Sequence, residues 1–356
     1  MPTHPSAPTI RPVEYRPEFE HLEDDEAQTA QELLATLRKI QRKVSEDEGH
    51  AFRSVHAKSH GVLRGRLTVR SDLAAPFAHG VFRPGATYDV QMRLSTTPGD
   101  LLDDRVSTPR GLAVKLLKVT GPRTPGNEER TDQDFLLVNG PVFSAPNARR
   151  FLKNLKLLAA TTDVLPGGKR ALSAALRGFE ATIEAFGGES ETIKALGGQP
   201  LTHPLGERYF TQVPMLYGPY IAKLSIVPLS PQMVALAGHK LDLGDQPNGL
   251  REAVADYFRR NDAAWEVRAQ LCTDIERMPI EDASVSWPEE LSPHVPVARI
   301  VAPAQHTWDD TARRLNDELF FDPWHSIADH RPLGSIMRVR RGAYRSSAEF
   351  RLVDSQ

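Results

Sequence analysis

The segment Tyr88-Asp-Val-Gln-Met-Arg-Leu-Ser95 decides the class of fold, because apolar and polar residues alternate along its whole length. Successive side chains of a β-strand point to opposite faces, so the pattern predicts a strand with one buried and one polar face. Arg93 and Ser95 lie two positions apart and therefore project from the same polar face. If that face borders a cavity, Ser95 can hydrogen-bond a histidine nitrogen while Arg93 binds an anion; otherwise it is an ordinary solvated face.

Comparable runs elsewhere in the chain predict about eight strands in all. The others lie at Leu63–Val69, Gly111–Val119, Asp134–Val138, Tyr209–Val213, Tyr220–Val227, Trp265–Thr273 and Val297–Val301. The chain also contains 28 prolines and 24 glycines, which imply many turns. Together these features favour an α+β fold built on a closed, about eight-stranded antiparallel β-barrel with inserted and C-terminal helices.

Helical patterns surround the predicted strands. Apolar residues recur on one face of residues 26–45, which is typical of an amphipathic helix. Further helices are predicted at 145–160, 171–196 and 250–259, and through most of 307–356. We therefore divide the chain into an N-terminal arm and helix (1–49), a barrel with a helical insertion near 143–205 (50–305), and a helical C-terminal segment (306–356).

Composition excludes several classes of function. The 356 residues are 40% hydrophobic and 25% charged with a net charge of −2, which is ordinary for a globular protein. Such a balance favours neither nucleic acid nor an anionic membrane as a partner. Cys272 is the single cysteine, so no intramolecular disulfide can form. No apolar leader and no run able to cross a bilayer is present, so we expect a cytoplasmic protein.

The stretch from Met337 to Arg351 is unusual for a helix near the end of a chain. Read as one helix, it places Arg340 and Tyr344 one turn apart, with Arg351 almost in line seven residues later. Two guanidiniums beside a phenol should lower its pKa from about 10 and favour the phenolate, an anionic ligand suited to ferric iron. The alternative is a cationic helix whose tyrosine packs against the core.

His56 lies in the segment Arg53-Ser-Val-His-Ala-Lys-Ser-His-Gly61, just before the first predicted strand. A histidine at a junction between a loop and a strand can act as a general acid or base, bind a metal, or simply be exposed. The chain has 12 histidines, and we expect most of them to be solvated or structural. His56 differs because its neighbours match a known pattern.

Five short segments, taken in order, resemble those of the haem catalases. The segment Arg53–Gly61 resembles the stretch that carries their distal histidine. The other matching segments are Met92–Thr96, Thr108–Lys115, Val138–Phe143 with its Asn-x-Pro-x-Phe pattern, and Arg340-x-x-x-Tyr344 followed by Arg351. Each match is weak alone, but their common order and spacing make the resemblance specific. This chain is shorter than ordinary catalases, and in this respect it is similar to the small, catalase-related (catalase-like peroxidase) branch of the family.

The resemblance implies ferric haem b as cofactor, with Tyr344 as the axial iron ligand. Arg340 would keep the phenol ionised. Phe143 would pack on the porphyrin. Phe151 has two equally weighted roles, either packing on the porphyrin beside Phe143 or packing as a core residue of its helix. The residues implied to pair with the haem propionates, which need charged partners when buried, are Arg53, Arg93 and Arg351.

The resemblance further implies that the protein decomposes hydrogen peroxide through a ferryl state, by catalase or peroxidase chemistry. His56 would move a proton from one peroxide oxygen to the other, and Ser95 would orient its ring. Asn139 would donate a hydrogen bond to the departing oxygen. Catalases are commonly tetramers, so we expect a homo-oligomer, either a dimer or a tetramer.

Two other functions remain open at this point. One is a haem enzyme that rearranges or reduces a fatty-acid or other organic hydroperoxide, like allene oxide synthases. In those relatives a threonine precedes the distal histidine, whereas this chain has Val55, as catalases do. The other is a haem-binding protein without catalysis, against which the complete set of His56, Ser95, Asn139 and Tyr344 argues.

Overall fold

The computed structural model describes residues 11–49, 51–99, 101–161 and 200–354, so the predicted helix at 171–196 lies outside it. In these residues the strands are β1 Ser59–Val69, β2 Thr87–Thr96, β3 Arg110–Leu116, β4 Gln133–Val138, β5 Tyr209–Phe210, β6 Met215–Tyr217, β7 Tyr220–Pro228, β8 Ala263–Leu271 and β9 Val295–Ala302. The helices are α1 Glu26–Glu48, α2 Ala148–Thr161, α3 Pro231–Val234, α4 Gly249–Phe258, α5 Asp310–Glu318, α6 Ser335–Arg340 and α7 Ala343–Asp354.

Eight of these strands form a closed antiparallel barrel. Their order around the ring is β1-β2-β3-β4-β5-β7-β8-β9, and β9 pairs with β1 to complete it. The remaining strand, β6, pairs with β7. Closure removes the exposed strand edges that an open sheet would present. The predicted fold class is therefore confirmed.

Alternation along β2 explains which side of the barrel can carry a site. Val90, Met92 and Leu94 belong to the core that fills the barrel and are at most 2% exposed. Arg93 and Ser95 therefore lie on the outer wall. They are nevertheless only 2% and 4% exposed. The polar face of this strand is therefore covered, not solvated.

Helices form a second hydrophobic cluster beside the barrel. The apolar face predicted for α1, including Leu33, Leu37 and Ile40, packs with Leu152 of α2 and Val339 of α6. The same cluster is bordered by residues of the loop that carries His56 and by the first turn of α7. The segments on either side of the candidate site are thus held by one set of apolar contacts.

The structure differs from the sequence-based prediction at several element ends. β3 ends at Leu116 instead of Val119, close to Lys118, which adopts a left-handed φ of 57°. β5 has two residues because Gln212, with φ 60°, interrupts the predicted strand. β6 was not predicted, since three residues are too short for a periodic signal.

The prediction of a single helix from Met337 to Arg351 is wrong. This segment forms two helices, α6 and α7, which are separated at Arg341 and Gly342. In the described part of the chain, none of the helices is both long enough and apolar enough to cross a membrane. The three-segment division of the chain stays a prediction.

Candidate active site

His56 stands against the outer wall of the barrel, over Gly111. Its Nδ1 atom lies 3.0 Å from Oγ of Ser95, and Ser95 pairs with Gly111 across β2 and β3. A Cβ atom on Gly111 would lie 2.5 Å from Cε1 of the imidazole, which is too close for any side chain. The backbone of His56 is left-handed, with φ 53°, and its N–H donates to Thr97 O. The ring is thus held in one position from several sides.

The surroundings of His56 keep its imidazole neutral. Burial lowers the pKa of His56 to about 3, and the positive charges of Arg93, Arg340 and Arg53 add to this effect. A neutral imidazole at physiological pH can accept a proton. Because Ser95 engages Nδ1, the atom left to exchange protons with a substrate is Nε2.

Asn139 follows the last residue of β4, Val138, which pairs with Gly111 beneath His56. The backbone N–H of Arg110 donates to Oδ1 of Asn139 at 2.7 Å. The Nδ2 atom of Asn139 donates to the carboxylate of Glu207. Three adjacent strands, β2 to β4, therefore bring Ser95, the ring of His56 and Asn139 to one end of the barrel wall.

Arg53, Arg93 and Arg351 converge at the C-terminal end of α5. Arg93 donates to Oδ1 of Asn316 at 2.8 Å, and Arg53 and Arg351 donate to the Leu319 carbonyl at 2.7 and 3.5 Å. Within the described residues, no carboxylate lies within 4.0 Å of Arg53 or Arg93. Burial lowers the pKa of Arg93 to about 9 and that of Arg351 to about 10. Such a buried cluster of positive charge is suited to binding carboxylates.

Tyr344, at the start of α7, accepts a hydrogen bond from Arg340, the last residue of α6. The predicted contact between the two side chains is therefore present although the helix is broken between them. The expected lowering of the phenol pKa is wrong for the chain alone. Burial raises the pKa of Tyr344 above its ordinary value and outweighs the opposing charge of Arg340. The charge of Arg351 acts on Arg53 and Arg93, whereas Arg340 is the arginine that lowers the pKa of the phenol.

Phe143 and Phe151 meet edge to face, with ring centroids 5.0 Å apart. The guanidinium of Arg340 lies 5.8 Å from the centroid of Phe143 and 5.9 Å from that of Phe151. Phe143 therefore lies beside Arg340, which bonds Tyr344, and its packing on a porphyrin stays a prediction. Phe151 also borders the helical cluster, so both of its predicted roles stay open.

The residues present fit haem in their chemistry. A partly buried phenol is suited to iron, the arginine cluster to two propionates, and the phenylalanines to a porphyrin face. Arg340 and Tyr344 also line a small cavity of about 40 Å³, together with Phe135 and Met337.

A second group with metal-ligand chemistry lies nearby. Asp132, Asp134 and His325 are buried and bring their ligand atoms within 4.8 Å of one another. However, the ammonium of Lys115 already lies 2.7 Å from Oδ1 of Asp134 and also pairs with Asp132. A lysine thus occupies the place of a cation, and we interpret the group as a buried ionic network.

Three residues of the site were not predicted as such from the sequence. Gly111 lies within the segment Thr108–Lys115, which resembles a catalase segment, so that resemblance could have identified it as a site residue. Asn316, on a helix whose sequence is mostly polar, offered no signal. Glu207 lies far from its partners in sequence and is brought to them by β5 and the turn before it.

Comparisons with known proteins establish the fold. No protein-family model matches the sequence, and no curated protein matches it. The structure is similar to a fungal catalase, with a TM-score of 0.60, 17% identity and coverage of 87% of this chain and 62% of that one. Catalase A from Saccharomyces cerevisiae has a TM-score of 0.59 and 18% identity, and the match covers 86% of this chain and 62% of that one. A bacterial catalase has a TM-score of 0.57 and 14% identity, and the match covers 98% of this chain and 64% of that one.

The chain therefore has a catalase-like fold. It spans somewhat less than two thirds of the length of these catalases.

Proposed function

We propose that the chain is a haem-dependent enzyme that decomposes hydrogen peroxide by catalase or peroxidase chemistry. The observation that carries the proposal is the placement of Arg340. Its guanidinium bonds the phenol of Tyr344, and its charge also lowers the pKa of the partly buried imidazole of His56. The candidate iron ligand and the candidate general base are thus both within the influence of one cationic side chain.

In this proposal haem b is held by side chains of this chain. Tyr344 would bind the iron, and Phe143 would pack on the porphyrin. Arg53, Arg93 and Arg351 would pair with the propionates, which would relieve the repulsion among these three cations. When bound, the haem iron supplies the electrons with which the O–O bond of a peroxide is cleaved.

The remaining chemistry belongs to His56, Ser95 and Asn139. Nε2 of His56 takes the proton from one peroxide oxygen and returns it to the other, so that the second leaves as water. Ser95 keeps the ring in place for both transfers through its bond to Nδ1. The amide of Asn139 donates a hydrogen bond to the departing oxygen and stabilises its developing charge.

Val55 favours hydrogen peroxide over a lipid hydroperoxide. It is partly buried against the helical cluster and has no hydroxyl with which to bond His56. Rearrangement of a fatty-acid hydroperoxide therefore stays the second candidate.

The proposal is tested with the haem-loaded protein by measuring oxygen evolution from hydrogen peroxide, with product analysis on a fatty-acid hydroperoxide alongside. Oxygen evolution is expected. His56→Ala should lower its rate about 10²- to 10⁴-fold, the usual contribution of general acid–base catalysis, while the haem absorption remains. Tyr344→Phe should lose haem or change its spectrum.

The matched control is His306→Ala, because His306 is exposed and is none of the residues assigned to the site. It should leave the rate unchanged. Full activity in His56→Ala would contradict the assignment of the general base. Conversion of the fatty-acid hydroperoxide without oxygen evolution would favour the second candidate.

A further inference from the structure

A buried polar cluster lies directly behind Asn139. Its centre is the carboxylate of Glu207, which is 9% exposed, and the guanidinium of Arg110, which is 2% exposed. Arg110 donates from Nε to Oε1 of Glu207 at 2.6 Å and from Nη2 to Oγ1 of Thr202 at 3.0 Å. Thr202 in turn donates to the same oxygen, Oε1, of Glu207. The carboxylate is thus anchored by two partners before it meets Asn139.

The other carboxylate oxygen, Oε2, accepts the hydrogen bond from Nδ2 of Asn139. On its far side the amide accepts the backbone N–H of Arg110 through Oδ1 at 2.7 Å. Both contacts favour the same orientation of the amide. A flipped amide would place Oδ1 against a carboxylate and Nδ2 against an N–H, which is unfavourable at both ends.

We propose that Glu207 is a positioning residue that sets the orientation of the Asn139 amide. It does so through a charge-assisted hydrogen bond, which is stronger than one between neutral groups. The consequence for catalysis rests on the proposed function, in which that amide donates to the departing peroxide oxygen. The contact itself does not depend on haem or on activity.

The first test exchanges the two groups. Asn139→Asp places two carboxylates together and is expected to raise the unfolding equilibrium constant at least roughly tenfold. Adding Glu207→Gln restores a carboxylate–amide pair with the same net charge, so most of that loss should be recovered in urea unfolding of the full-length chain. If the two changes simply multiplied their effects, the proposed contact would be wrong.

The second test measures kinetics of the haem-loaded protein. Glu207→Gln is expected to lower kcat for hydrogen peroxide roughly tenfold with little change in KM, because it disorients a group used in bond cleavage. In an Asn139→Ala background the same substitution should cost nothing further, since the residue through which it acts is gone. A structural defect at Glu207 would instead lower the rate in both backgrounds.

The double variant distinguishes the positioning of residue 139 from its ability to donate a hydrogen bond. Asn139→Asp with Glu207→Gln should regain stability but not activity, because an aspartate cannot donate to the departing oxygen. The matched control is Glu289→Gln, which removes an exposed carboxylate paired with Arg208 at 3.0 Å and should change neither quantity. Absence of peroxide activity in the unsubstituted protein would refute the proposed function, while the unfolding experiment would still decide the role of Glu207.

Discussion

Among single residues, Gly111 tolerates little change, because the imidazole of His56 lies against its backbone. Its φ is outside the left-handed region, so alanine meets no conformational barrier there. A Cβ would nevertheless lie 2.5 Å from Cε1 and 2.6 Å from Nδ1 of His56. We expect Gly111→Ala to lower the free energy of unfolding by about 1–3 kcal/mol through overpacking, as measured by urea denaturation.

The control for this prediction is the His56→Ala background. There the ring that would collide is absent and only Oγ of Ser95, 3.0 Å from the added Cβ, remains close, so the methyl group should cost less than about 1 kcal/mol. A penalty of equal size in both backgrounds would mean that Gly111 is required for a reason other than His56.

Among the secondary-structure elements, α6 carries one arginine, Arg338, that joins it to the N-terminal segment and to Glu281. Arg338 donates to Glu20 at 2.8 Å, to Glu26 at 2.7 Å and to Glu281 at 2.8 Å. The side chains of Arg338, Glu20 and Glu26 are 15%, 9% and 10% exposed. Removal of Arg338 leaves buried carboxylates without their cationic partner, so Arg338→Met should lower the free energy of unfolding by about 3 kcal/mol.

Arg313→Met on α5 is the matched control for Arg338→Met. Arg313 pairs with Asp310, and these side chains are 56% and 81% exposed. An exposed pair contributes little, so this change should cost less than about 1 kcal/mol. If the two variants lost equal free energy of unfolding, the stabilising role proposed for the ion pairs of Arg338 would be wrong.

For the whole molecule, buried neutral histidines predict acid sensitivity. Burial lowers the pKa of His56 to about 3 and those of His203, His294 and His330 to about 4. An unfolded histidine titrates near 6.5, so between about pH 6.5 and 4 the unfolded chain binds more protons. The free energy of unfolding therefore falls as pH falls, by about 1.4 kcal/mol per pH unit for each histidine. Asp322, whose pKa burial raises to about 6, opposes part of this loss.

Urea unfolding between pH 8 and 4.5 measures this slope. Above pH 6.5 the contribution of these histidines should be complete and the curve nearly flat. His203→Asn provides a matched variant, because an asparagine oxygen can accept the Leu205 N–H that Nδ1 of His203 now accepts at 3.1 Å. It should reduce the slope below pH 6.5 by about 1.4 kcal/mol per unit. An unchanged slope would mean that His203 is not a source of the acid sensitivity.

Local patterns in the sequence were sufficient for much of the fold. Alternation along β1, β2 and β7 to β9 predicted strands close to those observed, and apolar periodicity predicted α1 and α4. These signals are local because strand and helix periods are expressed by residues a few positions apart. The pairing of Ser95 with His56 and of Arg340 with Tyr344 was also expected, the former from the resemblance and the latter from spacing.

Tertiary structure alone decided the features that depend on distant residues or on burial. The carboxylate of Glu207 reaches Asn139 from 68 positions away, and Asn316 reaches Arg93 from 223 positions away. The raised pKa of Tyr344 has the same origin: two arginines are visible in the sequence, but the loss of solvent around the phenol is not. Desolvation is a property of the whole packed chain, so no local pattern records it.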